Sequence, residues 1–179
     1  MKNISNFVDG KLTDENPSNY ISLFKPSTGE EYAHVPITSK VEFQKIIEKM
    51  RVAQSSWSET PITKRSNVLF KFKSLIEKSF DEIAKIISEE HGKVFSDAKG
   101  SLQRGLEVVD FACGIPHLLK GNHSINVGTN VDSYDIKQPL GICAGITPFN
   151  FPAMVPMWMF PISIACGNAF MLKLSLIHI

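Results

Sequence analysis

"PLGICAGITPFNFPAMVPMWMFPISIACGNAFMLKL", Pro139 to Leu174, decides how this chain is read. It opens with "LGICAGIT", an apolar run of strand length. "AMVPMWMFPISIACGN" then has helix length and closes on Gly167-Asn168, a C-terminal cap signal. "AFMLKL" is a second apolar run. Strand, helix, strand is a βαβ unit, which predicts a parallel sheet covered on both faces, with both strands fully buried. The loop "TPFNF" then falls at the carboxyl end of the first strand, where open α/β sheets bind ligands.

The same stretch raises the question of a membrane. The chain carries 19 Lys and Arg against 18 Asp and Glu, yet all of these except Lys173 lie before Gln138. Phe151 to Leu172 is 22 residues without a charge, long enough to span a bilayer. Pro152, Pro156 and Pro161 interrupt it, Gly167 and Asn168 end it, and no Lys/Arg cluster flanks it. The interior of an α/β domain accounts for the missing charges without a membrane. A net charge of +1 leaves no basic footprint for nucleic acid. With 179 residues and 43% hydrophobic content, the chain is large enough for a real core.

Three cysteines, Cys113, Cys143 and Cys166, form no CxxC and are odd in number, which reads as reduced, buried thiols. The five histidines lack metal-ligand spacing, so no metal is expected. The N-terminal "MKNISNFVDGKL" has neither an apolar signal region nor an Arg-rich presequence, an expectation of cytoplasmic location.

Upstream, the first forty residues read as short extended pieces. Asp9-Gly10 is a hairpin signal. "KPSTGEEYAHVPI" gives a turn and then alternation at Tyr32, His34 and Pro36. Four helices follow. Thr38 or Ser39 caps one with an apolar face of Phe43, Ile46, Ile47, Met50, Ala53 and Trp57. Pro61 opens a second, with Leu69, Phe72, Leu75 and Ile76. The third carries Ile83, Ile86 and Ile87 and ends at His91-Gly92. The fourth runs from about Ser96, with Leu102, Leu106, Val109 and Cys113 on one stripe. From Ser124 the period shifts toward two, with strands in "SINVGT" and "VDSYDIKQP" around Gly128-Thr129-Asn130.

No GxGxxG follows the first strand of the βαβ unit and no GxxxxGK[ST] occurs, so a nucleotide would have to be held differently. Gly141 and Gly145 read as close-packing positions inside the strand. Asn150 carries a neutral double donor. Fixed at a strand end between Pro148 and Pro152, it can point N–H groups at an oxygen that gains negative charge, or it can satisfy loop backbone groups. Lys173 sits at the end of the second strand, which in a dinucleotide fold meets the adenosine ribose; the alternative is a surface lysine. Arg104, beside Gly105 in "SLQRGLEVVD", suits bidentate grip of a carboxylate; the alternatives are a solvated face or an ion pair with Glu107.

These residues resemble the aldehyde dehydrogenase superfamily, and within it the CoA-acylating methylmalonate-semialdehyde (malonate-semialdehyde) dehydrogenases. The common loop of the superfamily reads Pro-Trp-Asn-Phe-Pro. Phe149 in place of Trp, followed by "VPMWMFPISIACGN", is a feature of the semialdehyde group, as is "RGLEVVDFACGIPHLLKG". The similarity runs from about residue 6 to Lys173. It implies an α/β fold, the N-terminal part of an aldehyde dehydrogenase fold. Residues 1–123 would begin the NAD-binding domain, 124–139 would form a two-strand oligomerisation hairpin, and 140–173 the first βαβ of a Rossmann-like sheet. It implies that Asn150 forms half of an oxyanion hole, that Thr147 and Phe149 line the NAD site with their backbone, that Lys173 binds the adenosine ribose, and that Arg104 holds the substrate carboxylate. It further implies NAD and coenzyme A as co-substrates, a small-molecule semialdehyde as substrate, and a homo-oligomer, a tetramer in the intact enzyme.

The chain also departs from that family. The family continues Lys-Pro-Ser-Glu-Arg, whereas here Lys173 is followed by "LSLIHI", with Leu176 and Ile177 at the Glu and Arg positions. Residues 174–179 therefore read as an aberrant tail. Family members are longer and add a catalytic domain with the nucleophilic Cys and the general-base Glu; none of the three cysteines here matches that Cys. The expectation is an N-terminal fragment, inactive alone, of an enzyme that oxidises malonate or methylmalonate semialdehyde to acetyl-CoA or propionyl-CoA. A non-acylating NAD(P)-dependent aldehyde dehydrogenase and a non-catalytic remnant are the alternatives.

Overall fold

The structure is a computed structural model that describes residues 2–13 and 19–174. The aberrant tail expected after Lys173 therefore lies outside the described residues from 175 onward.

Five short strands come first: β1 (Lys2–Asn3), β2 (Phe7–Val8), β3 (Lys11–Leu12), β4 (Tyr20–Phe24) and β5 (Glu31–Pro36). β2 and β3 pair antiparallel, with Phe7 opposite Leu12. Asp9 (φ 54°) and Gly10 (φ 75°) make the hairpin turn that their sequence signals. β1, β5 and β4 form one sheet in that order. The buried residue of β5 is Ala33; the side chains expected to alternate inward, Tyr32, His34 and Pro36, are only partly covered.

The helices α1 (Lys40–Ser58), α2 (Ile62–Lys78), α3 (Phe80–His91) and α4 (Phe95–Cys113) follow, then the single turn α5 (Ile115–Leu118). Ser39 caps α1 in a reciprocal box with Glu42. The apolar face expected of α1 is not sealed: no residue of the helix is buried. Its firm attachment is polar, Trp57 Nε1 donating to the carbonyl of Ile164 at 2.8 Å. α4 is the hub. Leu102, Leu106, Val109 and Cys113 are all buried, as their spacing predicts. One core cluster joins Leu102 and Val109 to Ala84, Ile87, Ala98 and Met157. A second joins Leu69, Ala112, Cys113, Ile115 and Ala165.

Strands β6 (His123–Gly128) and β7 (Val131–Tyr134) form an antiparallel hairpin, exposed along its whole length. Asp135 ties its base, accepting from the backbone and side-chain N–H groups of Asn122 at 2.8 Å each. Lys137, with help from Asn122, draws the Asp135 carboxyl down to about 2.

The βαβ unit is present. β8 (Ile142–Thr147) and β9 (Ala169–Leu174) are parallel, joined by α6 (Met154–Ala165). Its strands are not fully buried, contrary to expectation. Gly145 and Thr147 are covered, but Ala144 and Ile146, which alternate with them, are exposed, Ile146 by 74%. In β9, Leu172, Lys173 and Leu174 are exposed. α6 seals one face, and the two-stranded sheet is not covered on both as its apolar composition predicts. Gly145 is a close-packing site, where a Cβ would stand 2.8 Å from Met159 Sδ. Gly141 is not: it precedes β8, faces open space, and is required by its φ of 111°.

Candidate functional site

The carboxyl end of β8 gathers most of the residues singled out from sequence. Thr147 is the last residue of the strand and is 1% exposed. Its Oγ1 has no hydrogen-bond partner among the described residues. Phe149, buried at 7% exposure, stacks on His91 with ring centroids 6.1 Å apart and 22° between planes. Asn150 is exposed. Its carbonyl accepts from Lys93 Nζ at 3.0 Å, while its side-chain amide takes part in none of the hydrogen bonds described. Asn150 is therefore not spent on satisfying the loop backbone, the bland alternative for such a residue. The residue is exposed, while its main chain is held through its carbonyl.

Lys173 lies directly across the parallel pair, in register with Ile146, one residue short of the partner of Thr147. Paired residues project from the same face of a sheet, so its exposed ammonium stands on the face that Ile146 leaves open. It forms no ion pair among the described residues.

Arg104 is held elsewhere, on α4. It is exposed and makes no ion pair with Glu107 or any other acid among the described residues. Its neighbour Gly105 marks the crossing of α4 and α6. A Cβ there would run into Met157 Cε and approach Met154 Cα to 3.3 Å. Arg104 is thus the sequence neighbour of the residue at which α4 crosses the first turn of α6, the helix that starts four residues after Asn150. The fold brings Thr147, Phe149 and Asn150 together, with Lys173 beside them, and sets Arg104 on the adjoining helix.

Sequence reading missed the far side of the loop. Lys93 reaches it from the segment after α3 and also lies 4.3 Å from the Phe151 ring centroid, a cation–π distance. Burial pulls its ammonium below the usual lysine range, with Asp97 opposing. Gly92, at φ 84°, turns the chain so that Lys93 points back, a role that His91-Gly92 signals only as a helix stop.

None of the cysteines has the setting of a nucleophile. Burial raises the thiol of Cys113, with Asp110 adding to the rise. Burial likewise raises Cys166 against the pull of Arg65. An activated thiol needs the opposite environment. Cys143, the second residue of β8, lies at the end of the strand away from Asn150; it and Cys166 are only half-buried, and of the three thiols expected to be buried only Cys113 is. The described residues contain no group of three or more metal-ligating side chains and no helix long and apolar enough to cross a membrane.

Residues 12–177 match the profile of the aldehyde dehydrogenase family. Over 175 residues the chain is 48% identical to a malonate-semialdehyde dehydrogenase of Pseudomonas aeruginosa, covering 98% of this chain and 35% of that protein. It is 44% identical to the mitochondrial, acylating methylmalonate-semialdehyde dehydrogenase of Arabidopsis thaliana, covering 96% of this chain and 28% of the relative. Among solved structures, a methylmalonate-semialdehyde dehydrogenase of Oceanimonas doudoroffii superposes with a TM-score of 0.94 at 48% identity, over 98% of this chain and 36% of the other. A Sinorhizobium meliloti protein described under the same activity, solved with NAD, gives 0.93 at 44% identity, over 97% of this chain and 35% of its own. The chain spans about a third of the length of these relatives. It belongs to the aldehyde dehydrogenase family.

Proposed function

We propose that this chain supplies the N-terminal, cofactor-facing part of an NAD-dependent, CoA-acylating malonate- or methylmalonate-semialdehyde dehydrogenase. The observation that carries the proposal is the unencumbered Asn150 amide at the carboxyl end of β8, on a loop whose backbone is held by Lys93. In this reading residues 1–123 begin the NAD-binding domain, 140–173 are its first βαβ, and 124–139 are the hairpin through which subunits of a homotetramer meet. The exposed apolar residues of that hairpin, Ile125, Val127, Val131 and Tyr134, favour such burial between subunits. The cytosol is the proposed location.

The residues at the sheet end fit NAD. The ammonium of Lys173, which forms no ion pair among the described residues, can donate to ribose hydroxyls on the face that Ile146 leaves open. Backbone groups of Thr147 and Phe149 border the same edge. NAD, when bound, supplies the hydride acceptor. Asn150 donates its amide N–H groups to the aldehyde oxygen as negative charge develops there. A donor so placed is worth about 10²–10³ in kcat. Arg104 grips the carboxylate that distinguishes a semialdehyde from a plain aldehyde. The attacking Cys thiolate, the general-base Glu and the second oxyanion donor belong to the two thirds of the relatives' length that this chain does not span. Coenzyme A is the proposed acyl acceptor, and no residue of 1–179 is assigned to it.

The Arg104 role is tested in the full-length protein. Arg104→Ala is expected to lower kcat/KM for malonate semialdehyde while sparing an aldehyde without a carboxylate. Equal kcat/KM for both substrates in the variant and the parent would favour a non-acylating aldehyde dehydrogenase instead. A second reading, a non-catalytic remnant, is favoured by the open sheet edge and the 74% exposure of Ile146. Purified 1–179 is expected to show no NAD-dependent turnover, and any turnover overturns the fragment reading.

A further inference from the structure

We propose that Lys93 is the positioning residue of the Asn150 loop: its ammonium, bonded to the Asn150 carbonyl and seated over the Phe151 ring, fixes the backbone from which the Asn150 amide projects. The kinetic consequence rests on the reading of Asn150 as an oxyanion donor; the ordering of the loop does not.

The segment between β8 and α6 has no regular structure to hold it. Pro148 and Pro152 remove two of its backbone donors. Ala153 packs against the α3–α4 core cluster, and residues 91–93 supply three further contacts at residues 149–151. His91 stacks on Phe149, Lys93 Nζ donates to the Asn150 carbonyl at 3.0 Å, and the same ammonium lies 4.3 Å from the Phe151 ring centroid. Three consecutive loop residues are thus held by one short segment, and the middle one keeps its side chain free.

Lys93 is itself well fixed. Gly92 turns left-handed after α3, its N–H bonding back to Ser88 O at 2.9 Å. The Ser88 hydroxyl then donates to the Lys93 carbonyl at 2.7 Å. The lysine stem is partly covered and its ammonium partly desolvated, which strengthens both of its contacts relative to water. An exposed amide on a Pro-flanked loop would otherwise sample many orientations, and a misplacement of about 1 Å costs about 10²-fold in rate.

The test uses three variants. Lys93→Met keeps the stem but removes charge and donor. Lys93→Arg keeps both, since guanidinium bonds carbonyls and stacks on aromatic faces. Lys93→Gln replaces Met if the Met variant loses the dispersed amide signals of α4. In the 179-residue chain, backbone order parameters at residues 149–151 are expected to fall from about 0.85 to below about 0.6 in Lys93→Met. α4 should be unchanged and Lys93→Arg close to the parent. In the full-length protein Lys93→Met is expected to lower kcat about 10- to 100-fold with KM for NAD unchanged, and Lys93→Arg to recover most of it. The proposal is overturned if the order parameters at 149–151 do not move in Lys93→Met, or if the Met and Arg variants lose kcat alike. Asn150→Ala separates the two readings. If it leaves kcat intact, the oxyanion role fails, and the relaxation data alone decide the role of Lys93.

Discussion

Arg65 Nε donates to the carbonyl of Ala165 at 3.0 Å, joining the first turn of α2 to the last residue of α6. The same guanidinium donates from Nη1 to the carbonyls of Ser58 and Thr60 at the end of α1, at 3.1 and 3.0 Å. Arg65 is 7% exposed and forms no ion pair among the described residues. Its charge is met by the carbonyl-rich ends of two helices, where the helix dipole favours a cation. It locks α1 and α2 onto the far end of the helix that starts beside Asn150.

Arg65→Met should therefore be costly. It removes the donor from one buried carbonyl and two partly buried ones, and hydrogen bonds to charged groups contribute about 1.5–3 kcal/mol each when partners are lost. A loss of about 3 kcal/mol or more in denaturant stability is expected, with Lys failing to rescue because it cannot span the three acceptors. A loss within about 0.5 kcal/mol, the range of a plain surface substitution, would show that the clamp carries no weight.

The two glycines of α4 should respond in opposite directions to alanine. At Gly105 the new methyl meets Met157 and the Met154 backbone, and overpacking of this kind costs about 1–3 kcal/mol. At Gly100 nothing lies within 4 Å, so alanine gains about 0.5–1 kcal/mol from helix propensity. Thermal unfolding of the two variants checks the pair; a stabilised Gly105→Ala would contradict the close α4–α6 crossing.

Tyr32 predicts alkaline sensitivity. Burial, then the charge of Glu90 and the 3.2 Å hydrogen bond to it, push the Tyr32 phenol up to about 12. Its folded value lies above the unfolded one, so the native state keeps a proton that the unfolded chain releases. That contribution is complete below about pH 10 and is lost as pH rises from about 10 toward 12. Spectroscopic titration should show one of the three tyrosines ionising late, and Tyr32→Phe should remove that step. Three tyrosines titrating together would contradict the Tyr32–Glu90 contact.

The buried Cys113 and the half-buried Cys166 predict an indifferent result. Cys113→Ala and Cys166→Ala in the full-length protein are expected to leave semialdehyde turnover unchanged apart from stability. Abolition of turnover in a folded variant would move the nucleophile into this chain.

How much of this was legible in the sequence follows from what leaves a mark there. The βαβ unit was readable because two apolar runs bracket a helix closed by Gly167-Asn168. The stripe of α4 was readable because Leu102, Leu106, Val109 and Cys113 repeat at helical spacing. Burial of β8 was misread, since an apolar run does not say whether a further layer covers Ile146. Arg65 was invisible because its partners are backbone carbonyls, which have no sequence signature, and it sits beside the exposed Lys64 in the same turn. Lys93 was invisible for a similar reason: a lysine after a helix stop reads as a solvated end, and only the turn at Gly92 aims it at Asn150. Asn150 itself was conspicuous as a lone amide, but its free side chain and held carbonyl came only from the structure.

The most direct test of the proposed function is the single-turnover rate of semialdehyde oxidation by Asn150→Ala in the full-length protein, with NAD affinity measured alongside. The predicted result is a fall of about 10²–10³ in rate with NAD affinity unchanged. A rate within about twofold of the parent, far less than the loss of one oxyanion donor causes, would contradict it.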